Sequence, residues 1–202
     1  MSDSGRLMKT TKVFGIGFHK TGTSSLGFAL RTLGYSVTGP NNTRHRKSPD
    51  SDALWASVRD LIDQFDAFQD NPWPLLFKEL YAHSPESKFV LTIRPSEDWI
   101  RSMVNYFGSR TSSMREWIYG VGGPLGHESE YIERYERHNR DVLKFFSDKT
   151  SSLLVMNFSA GDGWTKLCGF LGEARIPSRP FPHWNARLSG GTKTVSNSGS
   201  GT

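Results

Sequence analysis

Residues 17–25 read Gly17-Phe18-His19-Lys20-Thr21-Gly22-Thr23-Ser24-Ser25, nine positions that hold two glycines, one lysine and four hydroxyl side chains. A β-rich run, Val13 to Gly17, leads into them, and Leu26, Ala29, Leu30 and Leu33 follow at helical spacing. Strand, glycine loop and helix in that order make an anion cradle. A helix N-terminus offers unpaired N–H groups and the positive end of its dipole, and glycines let those groups close around phosphate oxygens. The spacing of Gly17 and Gly22 matches the nucleotide-binding pattern G-x-x-x-x-G-K-[ST], but Thr23 stands where that pattern has its lysine. The lysine is at position 20, inside the loop. A nucleoside triphosphatase uses its lysine and a Mg²⁺-binding Ser/Thr on the β- and γ-phosphates, usually with an acidic motif for the metal. A plain turn would not need Lys20, Thr21, Thr23 and Ser24 together.

Two further groups of residues could do chemistry. Arg94 follows the apolar run Lys88 to Ile93, and Ser102 comes eight positions later with Trp99 between them. An arginine fork with a hydroxyl donor suits a terminal phosphate dianion. The other group is Gln69-Asp70-Asn71-Pro72-Trp73-Pro74, after a short strand at 67–69. Asp70 is its ionisable residue. It could cap a helix that starts near Pro72. His19 and His83 have a structural or surface role as the plainer reading.

Taken together, these motifs resemble the PAPS-dependent sulfotransferases, which use 3′-phosphoadenosine 5′-phosphosulfate as donor. The stretch 17–25 is similar to the 5′-phosphosulfate loop, whose signature is a lysine one residue before Ser/Thr-Gly-Thr. The stretch KFVLTIRPSEDWIRS, residues 88–102, resembles the 3′-phosphate element, an arginine after the strand and a serine eight positions on. The C-terminal GDGWTKLCGFLG and IPSRPFPHWN resemble the end of a short branch of the family, so the likeness runs from about Val13 to Asn185. It implies a P-loop-type three-layer fold and a cofactor site of His19, Lys20, Thr21, Gly22, Thr23, Ser24, Ser25, Arg94 and Ser102. It also implies Lys20 and Asp70 as catalytic residues, Asp70 as general base toward an acceptor hydroxyl with His19 and His83 as the alternatives, metal-independent in-line transfer, and adenosine 3′,5′-bisphosphate as product. The acceptor would be a small molecule or saccharide bearing a hydroxyl or amine. One departure stands out: the usual C-terminal glycine and lysine motif of the 3′-phosphate site is not evident, and Gly190, Gly191 and Lys193 do not reproduce its spacing. Arg44, Arg46 or Arg110 would have to complete the site, or the 3′-phosphate would bind less tightly. A nucleotide kinase or triphosphatase, and a protein that binds PAPS without turning it over, remain open.

The elements that must position these residues alternate. Strands are expected at 13–17, 35–38, 67–69, 88–93 and 153–156; helices at 23–33, 53–65, beyond Pro95, from Glu128 to Phe146, and from Trp164 to Leu171, ended by Gly172. Repeated strand-then-helix order implies right-handed crossovers and a central parallel sheet of about five strands with helices on both faces. In such α/β sheets ligands bind beyond the carboxyl ends of the strands, which here carry Lys20, Asp70 and Arg94. The stretch 111–126, with Gly120, Gly122, Gly123, Pro124 and Gly126, is expected to be irregular, a lid or substrate loop. Tyr131, Tyr135, His138, Val142 and Phe145 form one stripe of the long helix, expected to pack on the sheet.

Composition sets the outer bounds. A chain of 202 residues fits one domain: a flexible segment 1–12, a sulfotransferase-like domain 13–187 and a disordered tail 188–202 rich in Gly, Ser and Thr. The single cysteine, Cys168, excludes an intramolecular disulfide and is expected to be buried, and no Cys/His cluster has zinc spacing. No apolar run is long enough for a membrane span or a signal peptide, which makes the cytoplasm the expected location. The net charge of +5 favours an anionic partner, yet 25 basic residues are scattered among 20 acidic ones, a distribution that suits a phosphorylated small molecule rather than nucleic acid. The densest basic run, Arg44-His45-Arg46-Lys47, is expected to be a solvated loop.

Overall fold

The computed structural model describes residues 9–41 and 50–182. Arg44 and Arg46, His183 and Asn185 of the C-terminal motif, and Gly190, Gly191 and Lys193 lie outside the described residues. Five parallel strands, β1 (Val13–Gly15), β2 (Val37–Thr38), β3 (Ala67–Phe68), β4 (Lys88–Thr92) and β5 (Leu153–Met156), form one sheet in the order β2-β3-β1-β4-β5. The pairings are in register at Val13↔Ala67, Val13↔Lys88 and Phe89↔Leu153, among others. β1 is therefore central and flanked by β3 and β4. That order brings the carboxyl ends of three adjacent strands, and the residues just after them, to one edge.

The alternation of side chains along the strands explains why both faces are covered. Phe14, Phe68, Phe89 and Leu91 point to one side, and Val13, Ala67 and Val90 to the other, all fully buried. On the first face they meet α2 (Ser51–Val58), α3 (Phe77–His83) and α6 (Glu128–Phe145) through Leu54, Leu80 and Val142. On the second they meet α1 (Thr23–Thr32) and α7 (Trp164–Leu171) through Leu26, Leu30, Leu167 and Cys168. Cys168 is buried as expected, and burial raises its thiol pKa. A third cluster sits beyond the carboxyl edge, where Phe18 packs with α4 (Ser96–Phe107), α5 (Ser113–Tyr119) and α6 through Trp99, Met103, Met114 and Tyr135.

The strands expected at 13–17 and 35–38 are shorter, Val13–Gly15 and Val37–Thr38, and two other expected elements differ in kind. The helix expected over 53–65 is α2, which starts two residues earlier because the Asp50 carboxylate accepts the Ala53 N–H, and which gives way at Arg59–Leu61 to a 3₁₀ turn. The stretch 111–126 is not wholly irregular. Ser112 caps α5 by accepting the Arg115 N–H, and Gly120 ends it in the left-handed conformation at φ 81°. The glycines that weigh on the composition of this stretch all lie at or after that end, so seven ordinary helical residues precede them. Arg115, nearly buried, closes the rest: its guanidinium donates to the carbonyls of Gly122 (3.0 Å) and Arg110 (2.6 Å) and lies over the Phe107 ring.

Candidate functional site

The loop between β1 and α1 is shaped by close contacts on both of its glycines. A Cβ on Gly17 would lie 2.1 Å from the Thr92 hydroxyl oxygen on β4. A Cβ on Gly22, at φ 106°, would lie 2.4 Å from the Phe158 ring, so both positions demand glycine for packing or backbone reasons as well as for access. Thr21 is consumed within the loop. Its hydroxyl donates to the Phe18 carbonyl (2.5 Å) and receives the Thr92 hydroxyl (2.6 Å), and its N–H reaches the Phe18 carbonyl at 3.3 Å. The expected anion donors therefore begin one residue later: the N–H groups of Gly22, Thr23 and Ser24 donate to nothing among the described residues, and no side chain caps α1.

Among the described residues, two non-glycine residues have left-handed backbone: Lys20 at φ 68° and Asp70 at φ 63°. A side chain in that region is unfavourable, for lysine more than for aspartate, and such strain concentrates at functional sites. Asp70 accepts the Asn71 N–H on one carboxylate oxygen (2.7 Å) and the Thr23 hydroxyl on the other (3.3 Å). The capping role falls away, since the 3₁₀ turn Trp73–Leu76 begins after Pro72 with no side-chain cap. Lys20 is half-buried, and no ion pair ties it to a carboxylate among the described residues. Partial burial first, and the Arg94 guanidinium second, lower its pKa; Asp70 opposes them.

Arg94, just beyond β4, is fixed through its backbone: Tyr135 on α6 receives the Arg94 N–H and donates to the Arg94 carbonyl, both at 2.9 Å. One guanidinium nitrogen reaches the Lys20 carbonyl at 3.5 Å, while Nε is buried without a hydrogen-bond partner among the described residues. A buried donor left unpaired costs about 1–3 kcal/mol, which an incoming acceptor would recover. Ser102 is half-buried on α4, one turn before Tyr106, whose ring lies 4.0 Å from the Lys20 ammonium. Arg110, expected as a possible further phosphate ligand, instead donates its guanidinium to the Tyr106 and Phe107 carbonyls at the end of α4.

His19 belongs to a different network. Nδ2 of Asn71 donates to its Nδ1 (3.2 Å), which leaves the proton on Nε2, directed at the Tyr119 hydroxyl oxygen (3.1 Å). Its carbonyl accepts the Trp99 indole N–H (3.0 Å). Burial, then the charges of Arg115 and Lys20, lower its pKa to about 3, so it is neutral across the ordinary pH range. Its ring is engaged on both nitrogens within the protein. His83 is exposed at the end of α3, which leads into the amino end of β4, the opposite edge from the loop. Sequence reasoning missed Asn71, Tyr119 and Tyr106 as site residues; the i, i+4 spacing of Ser102 and Tyr106 on one helix face is a signal that could have found the last of them.

A family model described as a sulfotransferase domain matches residues 12–126 and 111–189. The Ava biosynthesis cluster protein M of Aspergillus versicolor is 25% identical over 215 residues, covering 85% of this chain and 80% of that one. Among solved structures, a sulfotransferase from Alicyclobacillus acidocaldarius shares the fold with a TM-score of 0.54 at 18% identity, covering 84% of this chain and 85% of the other.

Proposed function

The chain belongs to the sulfotransferase domain family, and from that premise we propose that it moves a sulfuryl group from PAPS to a hydroxyl or amine of a small-molecule or saccharide acceptor. The observation that carries this reading is the pair of left-handed residues, Lys20 and Asp70, on loops after the adjacent strands β1 and β3, with the Thr23 hydroxyl at the start of α1 donating to Asp70. The residues fit the donor. Among the described residues, the N–H groups of Gly22, Thr23 and Ser24 at the start of α1 are unused, Lys20 has no carboxylate ion pair, and Arg94 Nε is buried without a hydrogen-bond partner.

In this reading the N–H groups of Gly22 to Ser24 hold the 5′-phosphosulfate, with Ser25 within the same first turn of α1. Arg94 and Ser102 hold the 3′-phosphate. Bound there, PAPS supplies an activated sulfuryl group whose departure leaves negative charge on the bridging oxygen. Lys20 neutralises that charge as it develops, the kind of preorganised electrostatic help that usually dominates such catalysis. Asp70 takes the proton from the acceptor. The Asn71 N–H on one of its oxygens holds the carboxylate in place, and the Thr23 hydroxyl on the other ties the base to the loop. Because the donor is held by backbone and by two cations, acceptor choice falls to the neighbouring loops.

The test is release of adenosine 3′,5′-bisphosphate from PAPS across a panel of alcohols, phenols, amines and saccharides. Acceptor-dependent release is the expected result. The reading fails if no acceptor stimulates release and calorimetry finds adenosine 3′,5′-bisphosphate bound no more tightly than adenosine 5′-monophosphate.

A further inference from the structure

The Lys20 ammonium rests against an aromatic face. Its Nζ lies 4.0 Å from the centroid of the Tyr106 ring, inside the range at which the ring quadrupole attracts a cation. No other hydrogen bond or ion pair of the Lys20 side chain occurs among the described residues, so the ring is what holds a four-carbon stem otherwise free to sample many rotamers. Tyr106 is itself well placed to do so. It stands in the last turn of α4, and the Arg110 guanidinium donates to its carbonyl and approaches its ring to 5.8 Å. α4 also carries Ser102 one turn earlier and packs its buried Trp99 against the His19 carbonyl, so the helix is fixed relative to the loop that bears Lys20.

We infer that Tyr106 is a positioning residue for Lys20: its ring face keeps the ammonium at the mouth of the phosphate loop. The inference rests on the proposed role of Lys20. The ring rather than the hydroxyl does the holding, so Phe should serve in place of Tyr and Leu should not. Tyr106 is 52% exposed, and exchanging it leaves the core intact.

The experiment compares Tyr106→Phe, Tyr106→Leu and Lys20→Ala with the parent by two readouts. In the unliganded protein, NMR should show the Lys20 ε-methylene protons shifted upfield by the ring current, a shift kept in Tyr106→Phe and lost in Tyr106→Leu. In steady-state assays with PAPS, Tyr106→Leu should lower kcat about two- to fivefold, the scale of an exposed cation–π contact, with the KM for PAPS changed less. Tyr106→Phe should stay close to the parent. Parental kcat in Tyr106→Leu, an equal loss in Phe and Leu, or no ring-current shift in the parent would overturn the inference. Parental turnover in Lys20→Ala would instead sink the role given to the lysine, and the NMR shift would then stand alone, so the two failures are told apart.

Discussion

His19 and Lys20 are neighbours in the chain and opposites in environment. The histidine is buried, neutral, and bonded on both ring nitrogens; the lysine is half-buried, strained at φ 68°, and held by one aromatic face. A side chain whose polar atoms are all matched by protein has no capacity left for a ligand, whatever its chemical talent. One whose charge is unmatched has been left so at a cost, and that cost is the better pointer to chemistry. The same contrast separates Thr21, whose hydroxyl and N–H are consumed inside the loop, from Thr23, whose N–H donates to nothing among the described residues.

The sharpest way to break this contrast is to remove the unmatched members. Lys20→Ala should lower turnover by about a hundredfold or more, the usual loss when a donor aimed at developing charge is deleted, and should affect nucleotide affinity less. Turnover within about threefold of the parent would mean that the strain at position 20 serves something else.

Asp70→Asn tests the second strained residue. Asparagine tolerates the left-handed backbone and can still accept the Asn71 N–H, so the melting temperature and bisphosphate binding should barely move. The rate should fall about a hundredfold if the carboxylate is the base. Near-parental turnover would refute that role and reopen the search among the remaining groups near the loop.

Arg94→Ala should weaken adenosine 3′,5′-bisphosphate about ten- to a hundredfold, the loss expected for a charge-assisted bond, and adenosine 5′-monophosphate far less. The Tyr135 clasp is on the Arg94 backbone, so the strand end should keep its place. Equal weakening of both ligands, read by calorimetry, would detach Arg94 from the 3′-phosphate.

The matched member should betray itself in stability. His19 and His138 each have a pKa lowered to about 3, with burial the first cause in both; the His138 Nε2 proton goes to the Ile16 carbonyl (2.7 Å). A histidine held neutral in the fold but protonated near 6.5 when unfolded stabilises fully above 6.5. That contribution is lost as the pH falls from 6.5 toward 3, at up to about 1.4 kcal/mol per pH unit for each group. Urea unfolding should therefore show falling stability over this window, and His19→Gln should flatten the slope by about one proton. An unchanged slope would show that His19 is not held neutral.

Much of the fold was legible because its signals are local. The apolar run at Lys88–Thr92 is an inner strand, between β1 and β5, Leu153–Met156 and Trp164–Leu171 form the elements their patterns imply, and of the stripe on the long helix Tyr131, Tyr135, His138 and Val142 are buried and Phe145 is partly so. What misled was averaging: the glycines after position 120 concealed the helix Ser113–Tyr119, and a continuous apolar pattern hid the break after Val58. For the site, residue type and order along the chain nominated Lys20, Asp70 and Arg94. That they share one edge could be expected of any parallel sheet; that they follow adjacent strands depends on the order β3-β1-β4, which arises from long-range pairing.

By itself the sequence determined which residues could serve as cations, hydroxyls and carboxylate, and most of the segments that would be strand or helix, because these depend on side-chain chemistry and short-range periodicity. Only the tertiary structure decided which polar groups are already spoken for. Whether His19 meets Asn71 and Tyr119, 52 and 100 residues away, whether Thr21 meets Thr92, and whether Lys20 meets Tyr106 are matters of packing between distant elements. Hydrogen bonds and cation–π contacts act over a few ångströms in space, a proximity that separation along the chain does not encode.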